Sequence, residues 1–316
     1  MMKSLKWITA DTKIKFISKT KYAFILSTIL VLASLCQIAF KGLNYGIDFS
    51  GGILIEVKSE EKIDMSVLRK DLEVLKVGDL NLQSMGQNQD EVLIRAQVKD
   101  LDEKGQMAVV NDIKKILGDK YEYRKTELVG PQVGSELKRA GVIATVISIL
   151  AIFTYIWMRF EWQFALGGCL GILHDTITTI GLFSFLGLDF NLSTVAAILT
   201  IAGYSINDTV VMFDRVRENL GKFKKLELKD LLDNSINDVL SRTLLTSLTT
   251  LLAVIAIFVF GGETLRSFSF ALIWGVIIGT YSTIYVAVPM LLRFDIRKAK
   301  AAKEEEASYN PFGNVE

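Results

Sequence analysis

Residues Thr243–Gly262 read TLLTSLTTLLAVIAIFVFGG, twenty positions without a charge. An α-helix rises about 1.5 Å per residue, so twenty residues cover the roughly 30 Å hydrocarbon core of a bilayer. Working outward, Tyr22–Phe40, Ala140–Met158 and Ser267–Leu292 are equally free of charge. Trp162–Leu188 and Phe190–Phe213 are as apolar, but each encloses one carboxylate, Asp175 and Asp208. A soluble chain of 316 residues can hide one such helix in its core, but not six. The expected class is an α-helical membrane protein with six transmembrane helices and one external α+β domain between the first two.

Net charge is +1, which argues against a nucleic-acid partner. The two cysteines, Cys36 and Cys169, fall inside apolar runs and read as small buried hydrophobes rather than a disulfide or metal pair. The first run exits into Lys41-Gly42-Leu43 without a small-residue cleavage site, so it reads as an anchor and not a removed leader.

Basic residues flanking the spans set the orientation. The tail before the first span carries Lys3, Lys6, Lys13, Lys15, Lys19 and Lys21 against Asp11. The segment between spans four and five carries Arg215, Arg217, Lys222, Lys224, Lys225, Lys229 and Arg242, and the last tail begins with Arg293, Arg297, Lys298 and Lys300. All three fall on one side of a six-span chain, so both termini are expected to be cytoplasmic. The expected organisation is a tail 1–21, span 22–41, external domain 42–137, spans 138–158, 162–187 and 191–213, a cytoplasmic loop 214–242, spans 243–262 and 267–292, and a tail 293–316. The tail from Lys303, with three consecutive glutamates, reads as disordered.

Within the external domain, Ile53–Val57 predicts a strand. Asp64 predicts an N-cap for a helix bearing Val67, Leu68, Leu72 and Leu75 at helical spacing. Leu80–Met85 and Val92–Val98 predict strands joined by a turn at Gly86–Asp90. A helix from about Asp102 to Leu117 is expected to bury Met107, Val110, Ile113 and Leu117, and Tyr121–Val129 closes as a strand. The order β-α-β-β-α-β is that of a ferredoxin-like unit.

No hydrolytic motif, nucleotide loop or cysteine cluster stands out, and there is one histidine, His174. The chemistry therefore rests on polar residues inside the spans, where a carboxylate costs about 2.5–3.5 kcal/mol on insertion scales. In the fourth span Ser193, Ala197, Thr200, Tyr204, Asn207 and Asp208 recur at helical spacing. In the fifth, Arg242 is followed at similar spacing by Thr246, Thr249, Ala253 and Ala256. If these faces meet, Asp208 and Arg242 pair, either as a static ion pair or as a titratable pair coupled to ion movement. His174-Asp175 in the third span is either a second relay or a set of hydrogen bonds to neighbouring helices. Gly167-x-x-x-Gly171 and Gly275-x-x-x-Gly279 permit close helix approach. Outside the first span, Gly46-Ile47-Asp48-Phe49-Ser50-Gly51-Gly52 reads as a hinge of tight turns, and Gly187-Leu188-Asp189-Phe190-Asn191 is a smaller echo of it.

At these residues the chain resembles the SecD/SecF family of the bacterial Sec protein-export machinery, within the resistance-nodulation-division superfamily. The resemblance, to the SecF side of that family, spans nearly the whole chain. It is carried by Gly46–Gly52, by Val129-Gly130-Pro131-Gln132-Val133-Gly134, by His174-Asp175, by Ser205–Asn219 and by Ser241-Arg242-Thr243 followed by Thr246-Ser247. It implies a SecD partner with a similar six-helix core, association with the SecYEG channel and YajC, and action after ATP-driven insertion by SecA. It implies that a proton or sodium gradient helps complete export, through Asp208 and Arg242, with Asn207 at the position of the SecD carboxylate. No cofactor, metal or catalytic chemistry of the chain's own is implied. A drug or lipid exporter of the superfamily would need a second large external segment, a passive scaffold would need only packing, and an intramembrane enzyme would need more than one histidine beside one aspartate.

Overall fold

The computed structural model describes residues 12–75, 77, 79–85, 89–97, 103–294 and 296–297. The turn expected at Gly86–Asp90 falls partly, and the tail from Lys303 wholly, outside the described residues. So do Lys3, Lys6, Asp11, Lys298 and Lys300.

In chain order, α1 (Thr20–Lys41) leads through β1 (Asn44–Tyr45) and the single turn α2 (Ile47–Ser50) into β2 (Gly52–Ser59). Then follow α3 (Met65–Glu73), β3 (Asp79–Met85), β4 (Glu91–Gln97), α4 (Glu103–Leu117) and β5 (Tyr121–Val129). Next come α5 (Pro131–Arg159), α6 (Trp162–Leu186), β6 (Asp189–Phe190), α7 (Leu192–Lys222), α8 (Leu228–Phe260) and α9 (Gly262–Ser282). The last helix continues through a π-helical turn, Thr283–Ala287, to Val288–Met290 and a closing 3-10 turn, Leu291–Arg293. Pro289 has no N–H to donate back to Tyr285, and its ring crowds that carbonyl, which accounts for the wide turn just before it.

Among the described residues six helices are long and apolar enough to cross a membrane. The chain divides into two compact units: one comprises residues 1–42, 145–188 and 196–316, the other residues 43–144 and 189–195.

In the helical unit, the segment read as a loop at 214–242 is helix except around Phe223–Glu227. Its apolar residues Val216, Leu220, Leu231, Leu232, Ile236 and Leu240 are buried together with Phe160, Phe164 and Phe213. They recur at helical spacing, a pattern that the interleaved basic residues masked in the sequence. The segment Phe16-Ile17 inserts into the same core. Its backbone is held there: Asn237 accepts from the Ile14 N–H at 3.0 Å and donates to the Ile14 carbonyl at 2.8 Å, and Asp233 accepts from the Ile17 N–H at 2.8 Å. The cysteines are both free, but Cys36 is exposed rather than buried, because the outer face of a spanning helix is meant for lipid.

In the α/β unit, β2, β3, β4 and β5 form an antiparallel sheet in the order β3-β4-β2-β5, the ferredoxin-like arrangement. Ile53, Ile55, Val57, Val92, Ile94 and Ala96 face α3 and α4, which contribute Leu68, Leu72, Val110, Ile113 and Leu117. Asp64 caps α3 as expected, accepting from the Ser66 and Val67 amides at 2.8 and 3.3 Å. Met107 is 50% exposed, against expectation, and Gln106 is 1% exposed in its place. Positions 106, 110, 113 and 117 keep the helical spacing, and the Gln106 amide reaches the Val129 carbonyl.

Candidate functional site

The middle of α6 is a hub. Asp175 is 0% exposed. Its carboxylate accepts from Ser205 Oγ of α7 at 2.7 Å and from Ser282 Oγ at the end of α9 at 2.8 Å. His174 Nδ1 lies 3.0 Å from the other carboxylate oxygen. Three helices are thus tied at one acceptor, because a buried carboxylate must have its lone pairs met. One turn further along α7, Thr209 and Thr283 are joined hydroxyl to hydroxyl at 2.8 Å. Close approach makes this possible: a Cβ on Gly279 would meet Ser205 at 3.3 Å, and one on Gly167 would meet the Ala287 carbonyl at 2.8 Å. Both small-residue pairs of the sequence therefore serve packing around this hub. His174 lies tilted beside Tyr281, ring centroids 6.1 Å apart, and among the described residues its Nε2 has no hydrogen-bond partner.

Between Ser205 and Thr209 on the same helix sits Asp208, 6% exposed, its Oδ2 without a hydrogen-bond partner among the described residues. Arg242 lies at the middle of α8. Among the described residues no ion pair joins the two, and the Arg242 side chain is exposed. Several positions of the two stripes are exposed. On α7, Thr200 and Asn207 are exposed along with Ala196 and Gly203; on α8, so are Arg242, Thr249, Ala253 and Ala256. The reason is that the α7 stripe straddles two sides of the helix: Ala197 and Asp208 turn inward and Thr200 and Asn207 outward.

The Gly46–Gly52 motif is placed in the α/β unit. Gly51 has φ +70°, a conformation that favours glycine, and a Cβ there would lie 2.9 Å from Pro131. Gly134, in turn, approaches Gly51 so closely that a Cβ would sit 3.0 Å from its amide. The motif at 46–52 and the one at 129–134 are therefore two halves of one interlock. Phe49 is buried and Asp48 half-buried. Asp48 accepts from the Leu192 amide, the first of α7, at 2.8 Å.

Sequence reading found Asp175, His174, Asp208, Asn207 and Arg242 but missed Ser205, Thr209, Ser282 and Thr283 as their companions. The spacing Gly275, Gly279, Ser282 was a usable signal, since it marks one small and polar face of the last helix. Among the described residues no three His, Cys, Asp or Glu side chains lie together as metal ligands would.

A six-helix bundle with carboxylates in its spans and one ferredoxin-like domain defines a multi-pass membrane protein of transport type. The model of the C-terminal part of the SecD/SecF protein export membrane proteins matches residues 109–297, and that of the SecD/SecF GG motif matches residues 38–63. The protein translocase subunit SecF of Rickettsia conorii is 45% identical over 287 residues, covering 90% of this chain and 92% of its own. That of Vibrio alginolyticus is 43% identical over 294 residues, covering 92% and 93%. The crystal structure of SecDF from Thermus thermophilus, described as a translocon-associated membrane protein, superposes with a TM-score of 0.82 at 33% identity over 90% of this chain. SecDF in a super-membrane-facing form gives 0.67 at 33% identity. This chain spans 39% of the first SecDF chain and 40% of the second. The chain belongs to the SecF family of protein translocase subunits.

Proposed function

We propose that the chain works with a SecD partner to turn an ion gradient into force on proteins being exported. The observation that carries this reading is the placement of Asp208. It is buried, one of its oxygens has no hydrogen-bond partner among the described residues, and Asn207 beside it and Arg242 on α8 are both exposed polar positions. Inside a bilayer such a face is costly unless another chain covers it. A SecD subunit presenting its own carboxylate opposite Asn207 would complete a polar path through the contact. A cation moving across about 100 mV releases about 2.3 kcal/mol, enough to shift a two-state equilibrium more than tenfold.

In this reading the protein sits in the bacterial cytoplasmic (inner) membrane. Its basic end and both termini lie in the cytoplasm, and the ferredoxin-like domain lies outside, where exported chains emerge. It acts beside SecYEG and YajC after SecA has inserted the substrate, and performs no bond chemistry of its own. Asp175 and His174 hold α6, α7 and α9 in register around Asp208, and the Gly46–Gly52 motif is the domain's hinge.

The test is Asp208→Asn in the complete complex, reconstituted in vesicles with an imposed gradient. Gradient-dependent export is expected to fall at least tenfold while ATP-driven insertion stays intact. Export at the wild-type level, with the complex still assembled, would remove the coupling role.

A further inference from the structure

Two similar strings, Gly46-Ile47-Asp48-Phe49 and Leu188-Asp189-Phe190-Asn191, are far apart in the sequence. In the α/β unit they lie side by side. β1 and β6 pair in parallel, Asn44 opposite Asp189 and Tyr45 opposite Phe190. The Gly46 amide donates to the Phe190 carbonyl at 2.9 Å, and Phe49 packs on Phe190 with ring centroids 6.1 Å apart. The echo is a structural pairing.

Asp48 and Asn191 serve the head of α7. Asp48 accepts from the Leu192 amide, and Asn191 Oδ1 accepts from the Thr194 amide at 2.9 Å. Two side-chain oxygens, one of them a carboxylate, thus cap the positive end of the helix. Asp189 accepts from Arg95 Nη1 at 2.9 Å and Nη2 at 2.5 Å, and from Asn44 Nδ2 at 2.8 Å. Arg95 sits in β4, inside the sheet, and is 7% exposed. Its neighbours Val92, Ile94 and Ala96 fill the core on the helix-covered face, so Arg95 points from the opposite face. A fork-to-carboxylate pair of this kind fixes direction as well as distance.

The covalent chain joins the domain to α1 and α5. No strand of the four-stranded sheet runs directly into α7, whose Asp208 lies sixteen residues, or about 24 Å of helix, beyond Leu192. Non-covalent contacts at the first turn of α7 are the means by which that helix can pull on the domain.

We propose that Arg95 is a positioning residue, fastening the sheet to the head of α7 through Asp189, with Asp48 as the second fastening. Movement of α7 is delivered to the domain at this point. The inference rests on the reading of α7 as the coupling helix, but the fastening itself can be read independently of it.

Arg95→Ala, Arg95→Lys and Asp189→Asn are compared in the full chain within its complex. Hydrogen exchange at the Leu192–Val195 amides is expected to accelerate at least tenfold in Arg95→Ala, with exchange in β2 unchanged. Gradient-driven export is expected to drop at least fivefold, with Arg95→Lys in between. If Arg95→Ala also loosens β2, Asp189→Asn is the deciding variant, since Asp189 lies outside the four-stranded sheet. A further readout separates fastening from mere stability. Cysteines placed at 95 and 189, with Cys36 and Cys169 replaced by serine, and joined by a bifunctional thiol reagent, are expected to restore export. Unchanged exchange at α7 in both single variants would overturn the fastening. Wild-type export in Asp208→Asn would sink the coupling reading and leave the exchange result standing.

Discussion

Asp64 shows how far a single residue can be read. Its side chain meets two amides of the turn that follows it, so a local string was enough to foresee the cap. Those two N–H groups stabilise the charged form and hold its carboxyl below the usual aspartate value. A group whose folded value is depressed contributes stability above its unfolded value of about 3.9 and loses it as pH falls toward the folded value. Amide exchange in α3 is therefore expected to quicken as pH drops below about 4, after correction for intrinsic exchange rates, and Asp64→Asn is expected to flatten that dependence. An equal pH response in the variant would assign it elsewhere. Gly51 is a stricter case. Alanine there meets both a positive φ and the Pro131 backbone at 2.9 Å, so Gly51→Ala is expected to destabilise the α/β unit by roughly 1–3 kcal/mol, measured by denaturant unfolding. The sequence marked this glycine as a turn but could not name Pro131, eighty residues on, as the atom in the way. Gln106 and Met107 show the opposite failure. One step of helix is about 100°, and hydrophobicity alone chose the wrong neighbour.

For whole elements, the spans were legible because twenty uncharged residues have few other uses, and the strands because their alternation is local. The extensions of α7 and α8 were not, since charged residues on their outer faces resembled a loop. The π-helical turn before Pro289 was also hidden: its i→i+5 bonds leave no pattern in composition. The hub at Asp175 joins residues 30 and 107 positions apart, and nothing local announces such a meeting. It lends itself to a graded test. Ser282→Ala removes one donor to a carboxylate that keeps two others, so a loss near 0.6 and at most about 1.7 kcal/mol is expected. Asp175→Ala removes the carboxylate acceptor of Ser205 and leaves Ser282 only the Gly279 carbonyl, and is expected to cost more, about 1–3 kcal/mol. Reversible unfolding in mixed micelles measures both. Equal losses would mean that the serines, and not the carboxylate, organise the junction.

For the whole molecule, burial is divided unevenly among the spans. The most apolar windows of α6, α7 and the last helix are 50–61% buried within the chain, whereas those of α1, α5 and α8 are each 11% buried. Lipid accounts for most of the exposed surface on the second group, which is leucine, isoleucine and phenylalanine. It does not account for Asn207 and Arg242. Arg242 stands directly before the uncharged run Thr243–Gly262, and a charged side chain there will find water or a partner where it can. If a SecD subunit covers this face, the position of Asn207 must change from accessible to shielded on assembly. Asn207→Cys, in a chain with Cys36 and Cys169 replaced, is expected to react with a small membrane-permeant maleimide when the chain is alone. Coexpression with SecD is expected to slow that reaction at least tenfold. A cysteine in place of Leu252, which is 60% exposed on α8 among lipid-type neighbours, calibrates the lipid-facing rate. Shielding at 207 without a change at 252 locates the partner on the polar face. The same rate at 207 in both states would place the partner elsewhere.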